Sequence, residues 1–364
     1  MNATFELNEL SRIVPGLTKI TNGRILSLLG MLKFTCESNG YGTITGSDGN
    51  VWVTRSITGV DVPSDMEFLI RANDLAPILK LKDQAISMEL DFEKTSAVVK
   101  WKGGKIRCGL QETEDYPQPS NSKTDFECEI KHDALVESLS KVINATDSSD
   151  KIGVKQGVNM SSASGSLVFV ATDTHRLHIV ASDHDGESFN ITLPGSLVKI
   201  LMELDGNSPF SFEWSKDANS LTITHGSDVI AGSLLACAYP NWRRVIPDSF
   251  SHKASIVSGD LVAAIKRLMM CEPNAYRTIF TFNENTINVF GSNLDGRDYS
   301  EDLECASDYP DGYQFCANGN YVVDSINSCG SNNVSLEGIS ATRPISITDT
   351  DGSGFQAIIM PMAL

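Results

Sequence analysis

The residues best equipped for chemistry stand together at Asp173, Thr174, His175 and Arg176, with His178 two positions further on. A carboxylate beside an imidazole supplies the parts of a general acid–base pair, as used by many hydrolases. Asp173 and His175 lie on one short segment, however, and no second histidine or carboxylate motif completes a triad or a metal site. No GxSxG, P-loop, HExxH or paired CxxC signature occurs. A hydrolase built on Asp173 and His175 is therefore a competing reading without the rest of its machinery. No catalytic residue, metal ligand or cofactor is expected. The eight cysteines, at 36, 108, 128, 237, 271, 305, 316 and 329, form no ligand-like grouping with histidine and read as buried reduced thiols.

Even a binding site needs a scaffold. A chain of 364 residues, 41% hydrophobic and 21% charged, suits two or three domains rather than one core. No run approaches the roughly 18–20 apolar residues of a membrane span, and no basic-then-apolar leader opens the chain. A cytoplasmic protein with no membrane partner is expected. The formal net charge is −17, with a pI near 4.7, which argues against coating nucleic acid by broad attraction.

The scaffold is repetitive. A short strand leads into an amphipathic helix at Phe5, Cys128 and Ser255, aligning Leu10, Leu135 and Leu261 at spacings of 125 and 126. Pro15 and Gly16 predict a short or kinked first copy. A strand, polar turn and strand recur at 41–57, 167–180 and 287–303, aligning Asp48, Asp173 and Asn293. A second helix entered from a strand recurs from Phe68, Ile191 and Gln314. A strand closing on an apolar residue and proline recurs at Tyr116-Pro117, Tyr239-Pro240 and Met360-Pro361. Four motifs in one order predict three domains of one topology, 1–124, 125–249 and 250–364, with linkers near 124 and 250.

Three segments carry a likeness to a known family: Ala171–Leu177 (ATDTHRL), Tyr239–Pro247 (YPNWRRVIP) and the terminal Ile358–Leu364 (IIMPMAL). Gly23-Arg24, Leu29-Gly30, Asp115–Pro117 and Tyr321–Asp324 extend it along the whole chain. Together they resemble the bacterial replicative sliding clamps, the beta subunits of DNA polymerase III. The resemblance implies an α+β fold of three tandem clamp-type domains, each with two helices packed on antiparallel sheets. It also implies a head-to-tail homodimer forming a six-domain ring. Such a ring encircles duplex DNA without reading its sequence and has no catalytic activity. The implied partners are a replicative DNA polymerase, a clamp loader and other proteins with clamp-binding motifs.

A ring holds DNA topologically, so its inner wall needs only a modest positive lining. The repeat helices offer Arg12, Lys19 and Arg24, then Lys141 and Lys199, then Lys266 and Arg267, interspersed with Glu9, Glu137 and Asp260. The resemblance adds Arg71, Asn73, Ser149, Gly153 and Val154 as DNA-facing positions. Asn73 stands where a basic residue is usual. The resemblance further implies a partner-peptide groove lined by Thr172, Thr174, His175, Arg176 and Leu177. Pro240, Arg244, Val245, Tyr321 and Pro344 continue it, and Ile358, Met360, Pro361 and Met362 complete it. Methionine and branched aliphatics there would adapt to varied apolar anchors. Lys155 replaces an apolar wall residue of the family and Ala363 a frequent arginine, which implies an altered peptide preference. The ring seam is expected at the edge strand near Lys105–Leu110 and after the fifth helix, through Ile106, Cys108, Leu268 and Met270. The alternative is a clamp-like interaction scaffold that does not encircle DNA.

Overall fold

The computed structural model describes residues 1–364 apart from 22, 24–25, 82–84, 121–122, 148–152, 216–218, 272–276, 293–297 and 351. Arg24, Ser149 and the repeat position Asn293 therefore lie outside the described residues. The chain divides into two compact units: Met1–Leu135 with Lys199–Leu234, and Val136–Val198 with Leu235–Leu364. Residues 125–249 contribute to both.

Among the described residues each unit is organised on one large antiparallel sheet, of 13 strands in the first and 12 in the second. In the first unit, Val51–Thr58 pairs on one side with Tyr41–Ser47 and on the other with Asp228–Ser233, far along the chain. In the second, Arg176–Asp183 pairs with Ser166–Thr172 and with Phe355–Ile359. The strands alternate apolar and polar residues, and the apolar positions fill the cores. Phe34 and Phe68 stack at 5.1 Å in the first unit, and Phe282 stacks on Tyr309 at 4.1 Å in the second.

Among the described residues six α-helices accompany the sheets: α1 (Leu7–Ile20), α2 (Ala72–Leu75), α3 (His132–Val142), α4 (Gly195–Met202), α5 (Ser258–Cys271) and α6 (Gly319–Cys329). The strand-to-helix repeat is present before α1, α3 and α5, as Asn2–Glu6, Phe126–Ile130 and His252–Val257. Contrary to the expectation of a short helix, α1 runs 14 residues with Pro15 inside it. Its buried stripe of Leu7, Leu10, Ile13, Val14 and Leu17 holds a continuous face, and an exposed proline removes only one donor from the ladder. The second helix of the first repeat does shrink. It stops after one turn, and Pro77 leads into the 3-10 turn Ile78–Lys80. In α6, Asn318 caps the start by accepting from the Asn320 N–H, and Gly330 ends it at φ 71°. The fourth motif needs correction. Tyr116-Pro117 and Tyr239-Pro240 lie in loops beyond the strands Gly104–Gln111 and Asp228–Ser233, whereas Met360 directly follows Phe355–Ile359.

The repeat is visible down to single hydrogen bonds. In the first hairpin the Ser47 hydroxyl accepts from the Gly49 N–H, and Asp48 Oδ1 accepts from the N–H groups of Asn50 and Val51. In the second, the Thr172 hydroxyl accepts from Thr174 and Asp173 Oδ1 accepts from His175 and Arg176. The third turn position has φ +93° at Gly49 and +78° at Thr174. A β-branched residue there is strained, and the surrounding bonds hold it in place.

Candidate functional site

The second unit builds a surface platform from its repeated hairpin and its last strand. Val170, Leu177, Ile179 and Ile358 form a buried apolar cluster, and Tyr239, Trp242 and Ile246 pack against it from the loop and 3-10 turn that follow. Leu177 and Ile358 face each other across paired strands, so one apolar row crosses from hairpin to tail. The Tyr239 hydroxyl donates to the Val170 carbonyl at 3.3 Å, and burial pushes its pKa up. The 3-10 turn Trp242–Val245 leaves Arg244 and Val245 exposed. The Arg243 guanidinium lies 4.2 Å over the Trp242 ring.

The opposite rim is charged and held in place. Arg176 donates to Asp173 at 3.1 Å and to Asp324 at 2.5 Å, and lies 4.4 Å over the Tyr321 ring. The His175 ring stacks on the same tyrosine at 6.5 Å. These contacts bring His175, Arg176 and Tyr321 together, and the turn bonds and strand pairing hold Thr172, Thr174 and Leu177 beside them. Backbone bonds seat the tail. The Met360 N–H donates to His175 at 2.9 Å and the Met362 N–H to Cys316 at 2.7 Å, while Arg277 donates to the Ala363 carbonyl at 2.9 Å. Pro344 precedes Ile345, which pairs with Ile359, so it lies level with Met360. Ile358 is buried in the core cluster, whereas Met360 is exposed and Pro361 and Met362 half-buried. Pro240 is exposed, and its carbonyl accepts from the Trp242 N–H at 2.7 Å. Lys155 donates to Asp147 at 3.3 Å. Sequence reasoning did not assign Asp324 to the site; its position three residues after Tyr321, on the same helical face, was the available signal.

The cluster that first invited an acid–base reading has a structural use. Both oxygens of Asp173 are engaged, one by backbone N–H groups of the turn and one by Arg176. His178 is fully buried, with Nδ1 2.9 Å from the Lys141 carbonyl and Nε2 2.9 Å from Ser325 Oγ.

Many of the expected DNA-facing cations have acidic partners within the chain. Arg12 donates to Glu9 at 2.9 Å, Lys19 to Glu203 at 2.9 Å and Lys141 to Glu137 at 2.7 Å. Arg267 donates to Glu301 at 2.9 Å, and that carboxylate raises the pKa of the guanidinium. Arg71, Asn73, Lys199 and Lys266 are exposed, and Gly153 and Val154 are half-buried. Of the four seam residues, Cys108 and Leu268 fill the chain's own core at 2% and 1% exposure. They face inward because the apolar side of their elements does, so Ile106, half-buried, and Met270, 75% exposed, are the two that present apolar surface. The edge reading is also modified. Gly104–Gln111 is internal to the sheet order, but over 104–109 its strand partner among the described residues is Ser96–Trp101 alone. The cysteine reading holds for Cys36, Cys108, Cys305, Cys316 and Cys329, while Cys128 is half-buried and Cys237 exposed.

Residues 243–363 match the family described as DNA polymerase III beta subunit, C-terminal domain. Curated relatives include the beta sliding clamp of Haemophilus influenzae, 23% identical over 332 residues and 88% of each chain. That of Staphylococcus epidermidis is 20% identical over 369 residues, covering 98% of this chain and 96% of the relative. Among solved structures, the DNA polymerase III beta subunit of Thermotoga maritima matches with a TM-score of 0.90 at 17% identity, over 100% of this chain and 99% of the other. The Pseudomonas aeruginosa sliding clamp bound to griselimycin matches with a TM-score of 0.92 at 16% identity, over 100% of both. At these identities the structures establish a shared fold.

Proposed function

We propose, for a chain that belongs to the DNA polymerase III beta-subunit family, that two copies close head to tail into a ring around duplex DNA and tether replication enzymes to it. Each chain supplies three modules, 1–124, 125–249 and 250–364, and the dimer supplies six. The agreement in fold over the full length of known clamps supports this reading most strongly. The ring holds DNA by enclosure, so sliding requires weak phosphate contacts. Cations partly offset by Glu9, Glu203, Glu137 and Glu301 meet that requirement, since tight neutralisation of many phosphates would brake movement.

Above the buried Leu177 and Ile358, the half-buried Trp242 and Met362 and the exposed Met360 take the apolar side chains of a partner peptide, the methionines adapting to their shape. Arg176, His175 and Arg244 frame its rim. A replicative polymerase, a clamp loader and other motif-bearing proteins share this groove in turn. The chain contributes binding and no reaction of its own, and works in the cytoplasm.

Closure is electrostatic as well as apolar. Gly104–Gln111 carries exposed Lys105 and Arg107 along its half-paired stretch. Over 298–304, Asp298–Ser307 has Thr286–Ser292 as its strand partner among the described residues, and it exposes Asp298, Asp302 and Glu304. A basic open strand on one protomer and an acidic one on its partner extend a sheet across the seam, with Ile106 and Met270 beside them.

Loading on DNA tests the proposal. Protein placed on nicked circular DNA by its clamp loader should stay bound through gel filtration and be lost when the circle is linearised. Equal retention on both forms would favour surface binding by a clamp-like scaffold.

A further inference from the structure

The first repeat has a cavity where the second has its apolar platform. Thr43, Thr45, Trp52 and Thr54 stand 125 residues before Val168, Val170, Leu177 and Ile179. The pairing agrees too, since Thr45 faces Thr54 as Val170 faces Ile179. The aliphatic row of the second repeat thus becomes three threonines and an indole in the first. A loop tyrosine packs on each: Tyr239 on the platform, and Tyr116 with Trp52, Met31 and Leu69. Their hydroxyls differ. Tyr239 donates to the Val170 carbonyl, whereas the Tyr116 hydroxyl is buried with no hydrogen-bond partner among the described residues.

Tyr116 is 3% exposed and lines a cavity of about 250 Å³ within the first unit. The other walls define what fits. The Trp52 N–H is satisfied by the Pro117 carbonyl at 2.9 Å, so the indole offers its ring rather than a donor. The Thr45 and Thr54 hydroxyls bond each other at 2.8 Å and retain capacity for a further partner. Lys33 is neutralised by Glu67 at 3.0 Å, which leaves no net charge to attract an ion. The volume is below the roughly 300–1,000 Å³ of sites for drug-sized ligands and suits one side chain.

We propose that this cavity is a second peptide site, which receives one uncharged, flat, hydrogen-bonding side chain, a carboxamide or a phenol, from a partner protein. The group would stack on Trp52 and satisfy the Tyr116 hydroxyl and the threonine pair. A partner that reaches both sites would be held at two points, the first polar and the second apolar, and so discriminated from one that fills the apolar platform alone. The reading of that platform as a peptide site supplies the analogy for this one, and the experiment separates the two.

The full chain labelled with 5-fluorotryptophan has four reporters. Trp52 lies in the cavity and Trp242 on the platform, and Trp52→Phe and Trp242→Phe assign their signals. Capped tripeptides Ala-X-Ala are titrated while fluorine spectra are recorded. With X as Gln or Tyr, the Trp52 signal should shift saturably; with X as Leu the Trp242 signal should shift and Trp52 should not; with X as Glu neither should move. Tyr116→Phe should weaken the Trp52 response about fivefold, and the double change Thr45→Val, Thr54→Val about tenfold, with the Trp101 and Trp214 signals unchanged as evidence of intact folding. The proposal is overturned if Trp52 ignores the Gln and Tyr peptides, if leucine serves equally well, or if the threonine changes leave the response intact. A Trp52 shift with thymidine or adenosine but not with peptides would also overturn it and point to a nucleic-acid ligand. Loss of the Trp242 response alone would sink the platform reading and leave the cavity standing.

Discussion

At Thr174 a β-branched residue occupies a left-handed conformation that the first repeat gives to Gly49. That turn sets the direction in which His175 and Arg176 leave it, and with it the charged rim of the proposed groove. His178, two residues beyond Arg176, shows how burial decides a residue's role. A carbonyl can only accept, so Nδ1 carries the proton toward Lys141 and Nε2 faces Ser325. Desolvation pushes the imidazole from 6.5 down to about 4, so it is neutral in the folded chain at pH 7. Between those values the unfolded chain binds a proton that the folded chain refuses. The associated stability is complete above pH 6.5 and is lost as pH falls toward 4, by about 3 kcal/mol. Urea unfolding from pH 7 to 4 should show this decline, and His178→Gln should flatten it; an unchanged slope in the variant would mean that other groups set the acid limit.

At the scale of elements, the proposed groove would depend on the tail from Met360 onward, which is seated by bonds to His175, Cys316 and Arg277. Deleting Met360–Leu364 should weaken binding of a fluorescent polymerase-derived peptide at least about tenfold while the dimer persists. Loss of the dimer instead would place the tail at the seam. Much of this arrangement was legible beforehand. The strand-to-helix motif and the repeated hairpin reappear with their spacings, because alternation and helical periodicity are local properties of Phe5–Leu17 or Tyr41–Ile57. What could not be read was non-local. The buried side of Leu268 and Cys108 depends on which element covers them, and the partners that offset Lys19 and Arg267 lie 184 and 34 positions away. The persistence of α1 through Pro15 was misjudged for the same reason, since five buried side chains from Leu7 to Leu17 outweigh one missing donor.

At the scale of the whole molecule, the proposed ring is what would give the proposed groove and the basic residues their purpose. Light scattering should give about twice the 39.5 kDa chain mass. Lys105→Glu with Arg107→Glu should reduce it to one chain, and adding Asp302→Lys with Glu304→Lys should restore the doubled mass; a dimer indifferent to these changes would mean the copies meet elsewhere. The sheet order also bears on how the chain is made. Arg176–Asp183 waits for Phe355–Ile359, and Val51–Thr58 waits for Asp228–Ser233. The gaps are 355 − 183 = 172 and 228 − 58 = 170 positions. At about 5–20 residues per second of translation, each strand leaves the ribosome roughly 10–35 seconds before its neighbour exists. During that interval a bare apolar edge is open to pairing with other nascent chains, so chaperone supply should govern how much usable protein a cell obtains from this message.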